Sequence, residues 1–140
     1  MAITGKCISR GSSSMFGDCL SLSTAERELL SLCAFDDTAV GYAFDIYRRH
    51  KSPITFAQQK DGAITIVTRL IRAGLLSGGA WNPDGSGLIP WGESADEVAR
   101  RVTEHLGDLE SVPTLDDPLW LWATPLGDSV NAELASKSDP

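Results

Sequence analysis

The stretch "PLWLWATPLGDSV" (Pro118–Val130) decides how this chain folds. From Leu119 to Thr124 its residues alternate, with Trp120 and Trp122 on one face and Leu119, Leu121 and Ala123 on the other, the period of a β-strand. Apolar residues on both faces predict a strand covered from both sides, with Trp120 and Trp122 in the core. The alternation then stops. Thr124 can act as an N-cap, and Pro125 at the first helical position gives up an N–H that has no intrahelical partner anyway. Leu126, Val130 and Leu134 follow at steps of four, so the chain is expected to end on a helix packed against the core, with residues 136–140 frayed.

Upstream of this element, "LLSGGAWNPDGSGLIPW" places two short apolar arms around Asn82-Pro83-Asp84-Gly85, which is hairpin chemistry. Ser94 with Glu97 reads as a capping box opening a helix to Leu109, buried along Ala95, Val98, Ala99, Val102, Leu106 and Leu109. Before the hairpin, Ala63, Ile66, Val67, Leu70, Ile71 and Gly74 share one helical face, while Thr65, Thr68, Arg69 and Arg72 share the other. Asp61 is the expected N-cap of that helix and Gly74 its C-terminal stop. Ser23 and Glu26 form a capping box for a first helix striped by Leu29, Leu30 and Cys33, which "DDT" breaks. "AVGYAFDIYRRH" supplies a second helix, and "KSPITF" a turn.

The chain's 140 residues, 42% hydrophobic and 22% charged, fit one globular domain able to bury a core. No apolar run approaches the ~20 residues a bilayer span needs, and no signal-peptide core is visible, so a cytoplasmic protein without membrane partner is expected. Three cysteines argue against a secreted disulfide framework. Residues 1–22, with "ISRGSSSMFG", read as a flexible tail in which Met15 could equally serve as the start. Residues 23–135 form the domain.

Two pieces carry a family resemblance. "VTRLIRAGLL" (Val67–Leu76) looks like a recognition helix running into a first wing strand, where "L-x-x-x-G-L" is usual. "WATPLGDSV" looks like a strand ending in "L-T-x-x-G", with Thr124 and Gly127 matching and Ala123 in the leucine position. With three preceding helices and a hairpin, Ser23–Leu134 resembles the winged helix-turn-helix superfamily, most closely small bacterial regulators of the MarR and PadR type. The resemblance implies an α+β, mostly α domain with a β-hairpin wing and a C-terminal strand–helix. It further implies DNA binding through helix 61–73 as recognition helix. The helix Ser94–Leu109, after the wing, is an addition to that pattern, and the wing tip carries Asp84 where a base is usual.

Little supports catalysis. His50 and His105 lie in different elements without a neighbouring nucleophile, and both read as solvated surface residues. Cys33 reads as a buried thiol, Cys7 and Cys19 lack metal-ligand spacing, and Asp36-Asp37 and Asp116-Asp117 read as turn residues. No catalytic residue, metal or cofactor is expected.

Two charged surfaces remain. From Tyr42 to Leu75, Arg48, Arg49, Lys51, Lys60, Arg69 and Arg72 oppose Asp45 and Asp61, a local +4. From Glu93 to Asp117, Glu93, Asp96, Glu97, Glu104, Asp108, Glu110, Asp116 and Asp117 oppose Arg100 and Arg101, a local −6. A DNA reader would use Arg48, Arg49, Lys60, Thr65, Arg69 and Arg72, yet Asp61 occupies the end of the helix that enters the groove. Net charge is −7. The favoured expectation is therefore a non-catalytic protein that binds a basic protein through Asp96, Glu97, Glu104, Asp108, Asp116 and Asp117. Immunity proteins and antitoxins are parallels in size and charge, and a DNA-binding regulator is the alternative.

Overall fold

The computed structural model describes residues 21–138. β4 (Trp120–Ala123) passes into α5 (Pro125–Ser138) at Thr124. The Thr124 hydroxyl accepts from the Gly127 N–H at 3.0 Å, which is the expected cap, and donates to the Gly74 carbonyl at 2.6 Å. Its backbone N–H bonds the Leu75 carbonyl. A Cβ on Gly127 would sit 2.0 Å from that same carbonyl, so only glycine lets α5 approach this closely. The two fragments that carry the family resemblance are thus one junction in space.

The other half of the junction is the end of α3 (Phe56–Arg72). Gly74 lies at φ +81°. Its N–H bonds the Ile71 carbonyl, and the Leu75 N–H bonds the Leu70 carbonyl, the paired bonds of a Schellman stop. The chain then enters β2 (Leu76–Trp81), turns, and returns as β3 (Leu88–Pro90), the expected hairpin. β4 lies centrally in the four-stranded antiparallel sheet, ordered β1-β4-β2-β3. Leu119 and Leu121 are fully buried. The expectation of Trp120 and Trp122 in the core is corrected: both are half-buried, and Trp120 meets the exposed Trp81 edge-on at 5.9 Å.

The remaining helices close the core around Leu29, Leu30, Phe44, Ile46, Leu70, Ile71 and Leu106. α1 (Thr24–Phe35) has the expected Ser23–Glu26 capping box. Leu22, assigned to the tail, is buried against this core, while the rest of the expected tail up to Leu20 lies outside the described residues. β1 (Thr38–Ala39) is a strand where the end of the "DDT" break and the start of the second helix were expected, because these two residues pair with Leu121 and Trp120 of β4. α2 (Gly41–Lys51) follows.

The largest correction concerns α3. Its N-cap is Thr55, in a capping box with Gln58, and Asp61 lies inside the helix. Gly62 is tolerated there because α2 packs against it: a Cβ would sit 2.0 Å from the Tyr47 ring. Thr68, expected on the polar face, is buried with its hydroxyl on the Ile64 carbonyl. In α4 (Ala95–Gly107), Ala95 is exposed rather than buried. Ser94 caps Glu97, but the Glu97 carboxylate bonds the Glu93 N–H instead of closing a box. α5 remains helical through Ser138, past the point where fraying was expected, and 139–140 lie outside the described residues. Among the described residues, no helix is long and apolar enough to cross a membrane.

Candidate functional site

α3 turns one stripe to solvent, with Gln58, Asp61, Thr65, Arg69 and Arg72 exposed along it. α4 runs antiparallel beside it, tied at both ends. At the start of α3 the Lys60 ammonium donates to the Gly107 and Leu109 carbonyls at 2.8 and 3.0 Å, satisfying the orphan acceptors at the α4 C-terminus. At the other end Arg72 Nε lies 3.6 Å from Asp96 Oδ1, a loose exposed pair worth little by itself.

The candidate DNA-contacting cations are engaged within the fold. Arg69 lies 2.9 Å from a carboxylate oxygen of Glu26, which is 1% exposed and also accepts the Ser23 N–H. Arg69 is therefore the counter-ion of a buried acid, not a free surface charge. Arg49 bonds Glu28 at 2.5 Å and Asp45 at 3.2 Å, and Arg48 lies 3.7 Å from Asp45. The Arg49 hydrogen bond, then that of His50, holds the Glu28 carboxyl below its ordinary range. The Thr65 hydroxyl donates to the Asp61 carbonyl.

The acidic run is only partly consumed. Arg100 pairs with Glu104 and Arg101 with Glu97, each four residues apart on α4. The Glu93 N–H, more than the neighbouring arginines, lowers the Glu97 pKa. The Asp96 side chain is 88% exposed, and Asp108, Glu110 and Asp116 are also exposed. Asp117 is not: its side chain is 8% exposed, and one oxygen accepts the Leu119 N–H while both meet His105 Nε2 at 2.9 and 3.1 Å. It leaves the candidate set.

His105 is not a solvated surface residue, a second correction: it is half-buried between Asp117 and the Trp91 ring, 5.2 Å away edge-on. His50 is exposed, as expected, and bonds Glu28 at 2.8 Å. Twelve positions separate His105 from Asp117, so no local pattern announces that pair. Among the described residues neither histidine bonds a serine, threonine or cysteine, and no group of three or more His, Cys, Asp or Glu is placed to hold a metal. Burial pushes the Cys33 thiol up to about 12, so it stays protonated.

No family model, no curated protein and no solved structure matches the chain.

Proposed function

We propose that this chain is a non-catalytic binding protein on a winged-helix-like scaffold, and that its α3/α4 face engages a basic protein partner. The order α1–β1–α2–α3 followed by the β2–β3 hairpin supports the scaffold reading. α4, inserted before the central strand β4, sets it apart.

The observation that carries the choice of partner is α4 lying along α3 from Lys60 to Arg72. A recognition helix in the major groove has phosphates on both flanks. Here one flank is a helix bearing Asp96, Glu104 and Asp108, and Asp61 stands on the solvent stripe of α3 itself. Arg48, Arg49, Lys60 and Arg69 already hold carboxylates or helix carbonyls, so few cations are free to displace counter-ions from phosphate. A basic protein surface would meet complementary charge instead, which mainly speeds association. Neutralisation of a basic protein, as immunity proteins and antitoxins perform it, is the kind of role this charge and size suit.

The deciding measurement is a gel-shift titration against duplex fragments of the chain's own locus, beside a capture of partners with and without nuclease. At ~0.15 M salt, where the Debye length is ~8 Å, no retardation is expected. Lysine at Asp96, Glu104 and Asp108 should slow association with the protein partner, and Asp61→Asn should leave it nearly unchanged. Saturable retardation that is abolished by Arg72→Ala and strengthened by Asp61→Asn would establish a DNA reader and overturn the proposal.

A further inference from the structure

A cleft of about 240 Å³ opens between the start of α2 and the loop that precedes β4, lined by Ala39, Gly41, Tyr42, Pro113 and Leu115. The loop is seated firmly, since a Cβ on Gly41 would fall 2.5 Å from the Pro113 carbonyl oxygen. Exposed apolar side chains line the cleft and occur in the segments next to it. Leu115 is 68% exposed, Tyr42 is 50% exposed and Val112 is 40% exposed; Phe35, 88% exposed, stands four positions before Ala39. Four of the six large exposed apolar side chains of the described residues therefore belong to this cleft or the segments that flank it. Clustered exposure of this kind marks interaction surfaces, whereas single exposed apolar residues do not.

Unpaired carboxylates stand in the segments that form it. Asp36 and Asp37 precede β1, and Asp116 follows Leu115; all three are exposed, and their carboxylates form no ion pair among the described residues. Asp45, which also lines the cleft, is held by Arg48 and Arg49. Burial, with a smaller contribution from Asp36, raises the Asp37 pKa.

We infer that this cleft docks a basic amphipathic segment of the partner protein, its apolar side chains against Tyr42 and Leu115 and its Lys or Arg residues on Asp36, Asp37 and Asp116. The inference rests on the basic-partner reading and assigns it a second contact, at the start of α2 and the loop before β4. A second copy of this chain fits poorly, because a two-fold contact pairs a patch with itself and would bring two sets of unpaired carboxylates together. Nucleic acid is disfavoured by the same carboxylates, whereas an apolar anchor inside a charged rim is the usual anatomy of a protein contact.

The test uses the full chain, isotope-labelled for amide NMR, and three synthetic peptides of about 18 residues, five helical turns. One is a Leu/Lys helix with leucines on a single face, one a Gly/Lys peptide of equal charge, and one a Leu/Glu helix. The Leu/Lys peptide should shift the amides of Gly41, Tyr42, Thr114 and Leu115 saturably, and the Leu/Glu peptide should not. Leu115→Ser, at an exposed position, should weaken that binding about tenfold, a 1.4 kcal/mol effect. Combined Asp36→Asn, Asp37→Asn and Asp116→Asn should weaken it at low salt and lose their effect at high salt. Equal binding of the Gly/Lys peptide, or indifference to Leu115→Ser, overturns the inference. So does a dimer that dissociates on Leu115→Ser, or a shift of the resonances of residues 1–20 on that substitution without peptide, which would show the cleft filled from within. Shifts gathered on α4 would remove the cleft while leaving the basic-partner reading standing; no binding by any peptide removes both.

Discussion

The basic run of residues 42–75 and the acidic run of residues 93–117 differ little in strength as written, +4 against −6, but the fold uses them in different ways. Most of the cations are held by partners within the fold, although the arginines stay about half exposed. Arg69 neutralises the buried Glu26, Lys60 closes the end of α4, and Arg49 joins α2 to α1 through Glu28. Among the acids, Asp117 is buried against His105 and the Leu119 N–H, Glu97 and Glu104 are paired within α4, and Asp96, Asp108, Glu110 and Asp116 remain exposed, Asp96 beside Arg72. A local charge sum is therefore a poor guide to available charge: what matters is whether a neighbouring element already supplies the opposite sign. The difference favours a surface that attracts cations over one that attracts phosphate.

The contrast is sharpest within the basic run itself. Arg69→Ala should destabilise the protein by about 3 kcal/mol, because it leaves Glu26 charged and buried, whereas Arg72→Ala should stay within about 0.5 kcal/mol. Adding Glu26→Gln to Arg69→Ala should recover part of the loss, since glutamine still serves the capping box. Urea midpoints of the three variants measure this, and equal effects of the two arginines would erase the distinction between a cation paired with a buried acid and one paired with an exposed acid.

Within the acidic run, Asp117→Ala should cost about 2 kcal/mol through the orphaned Leu119 N–H and His105, against less than about 0.5 kcal/mol for Asp116→Ala. Thermal melts of the pair separate built-in from available acid.

The α1–α2 tie can be followed by pH. The Glu28 carboxyl is held below its ordinary value of 4.5, so its contribution is complete above that value and disappears as pH falls through the lower, folded one. Wild type should exceed Glu28→Gln by less than about 1 kcal/mol at neutral pH, with the gap closing on acidification. A gap that stays constant with pH would mean that the ion pairs contribute nothing. Asp37 has the opposite sign. Its raised pKa means that the ionised form opposes folding, so Asp37→Asn should stabilise slightly, by no more than about 0.5 kcal/mol at this exposed site, and the gain should fade as pH falls through the raised value. A loss of stability at neutral pH would show that Asp37 has a cationic neighbour.

Much of the architecture was legible locally. The Ser23–Glu26 box, the Gly74 stop, the hairpin turn and the Thr124-Pro125 helix start are short-range hydrogen-bond patterns, and each stands in the structure as read. The start of α3 was misread because Asp61-Gly62 looks like a boundary, although Thr55-x-x-Gln58 carried the stronger signal. β1 was invisible, since a two-residue strand exists only by pairing with β4, eighty residues on. The candidate site was legible in composition alone: which residues are charged can be read, but their partners are set by helix packing. Glu26–Arg69 and His105–Asp117 show this, joining residues that no sequence period connects.

By itself, then, the sequence determined most of the helix boundaries, the hairpin and the strand-to-helix turn, because caps, turns and periodicity act over a few residues. The tertiary structure alone decided that α4 lies along α3, that glycine at 127 admits the Leu75 carbonyl, and that most of the basic run finds a partner within the fold. Those outcomes depend on which surfaces meet once the core closes around Leu29, Phe44 and Leu70, and contact between distant segments leaves no short-range trace.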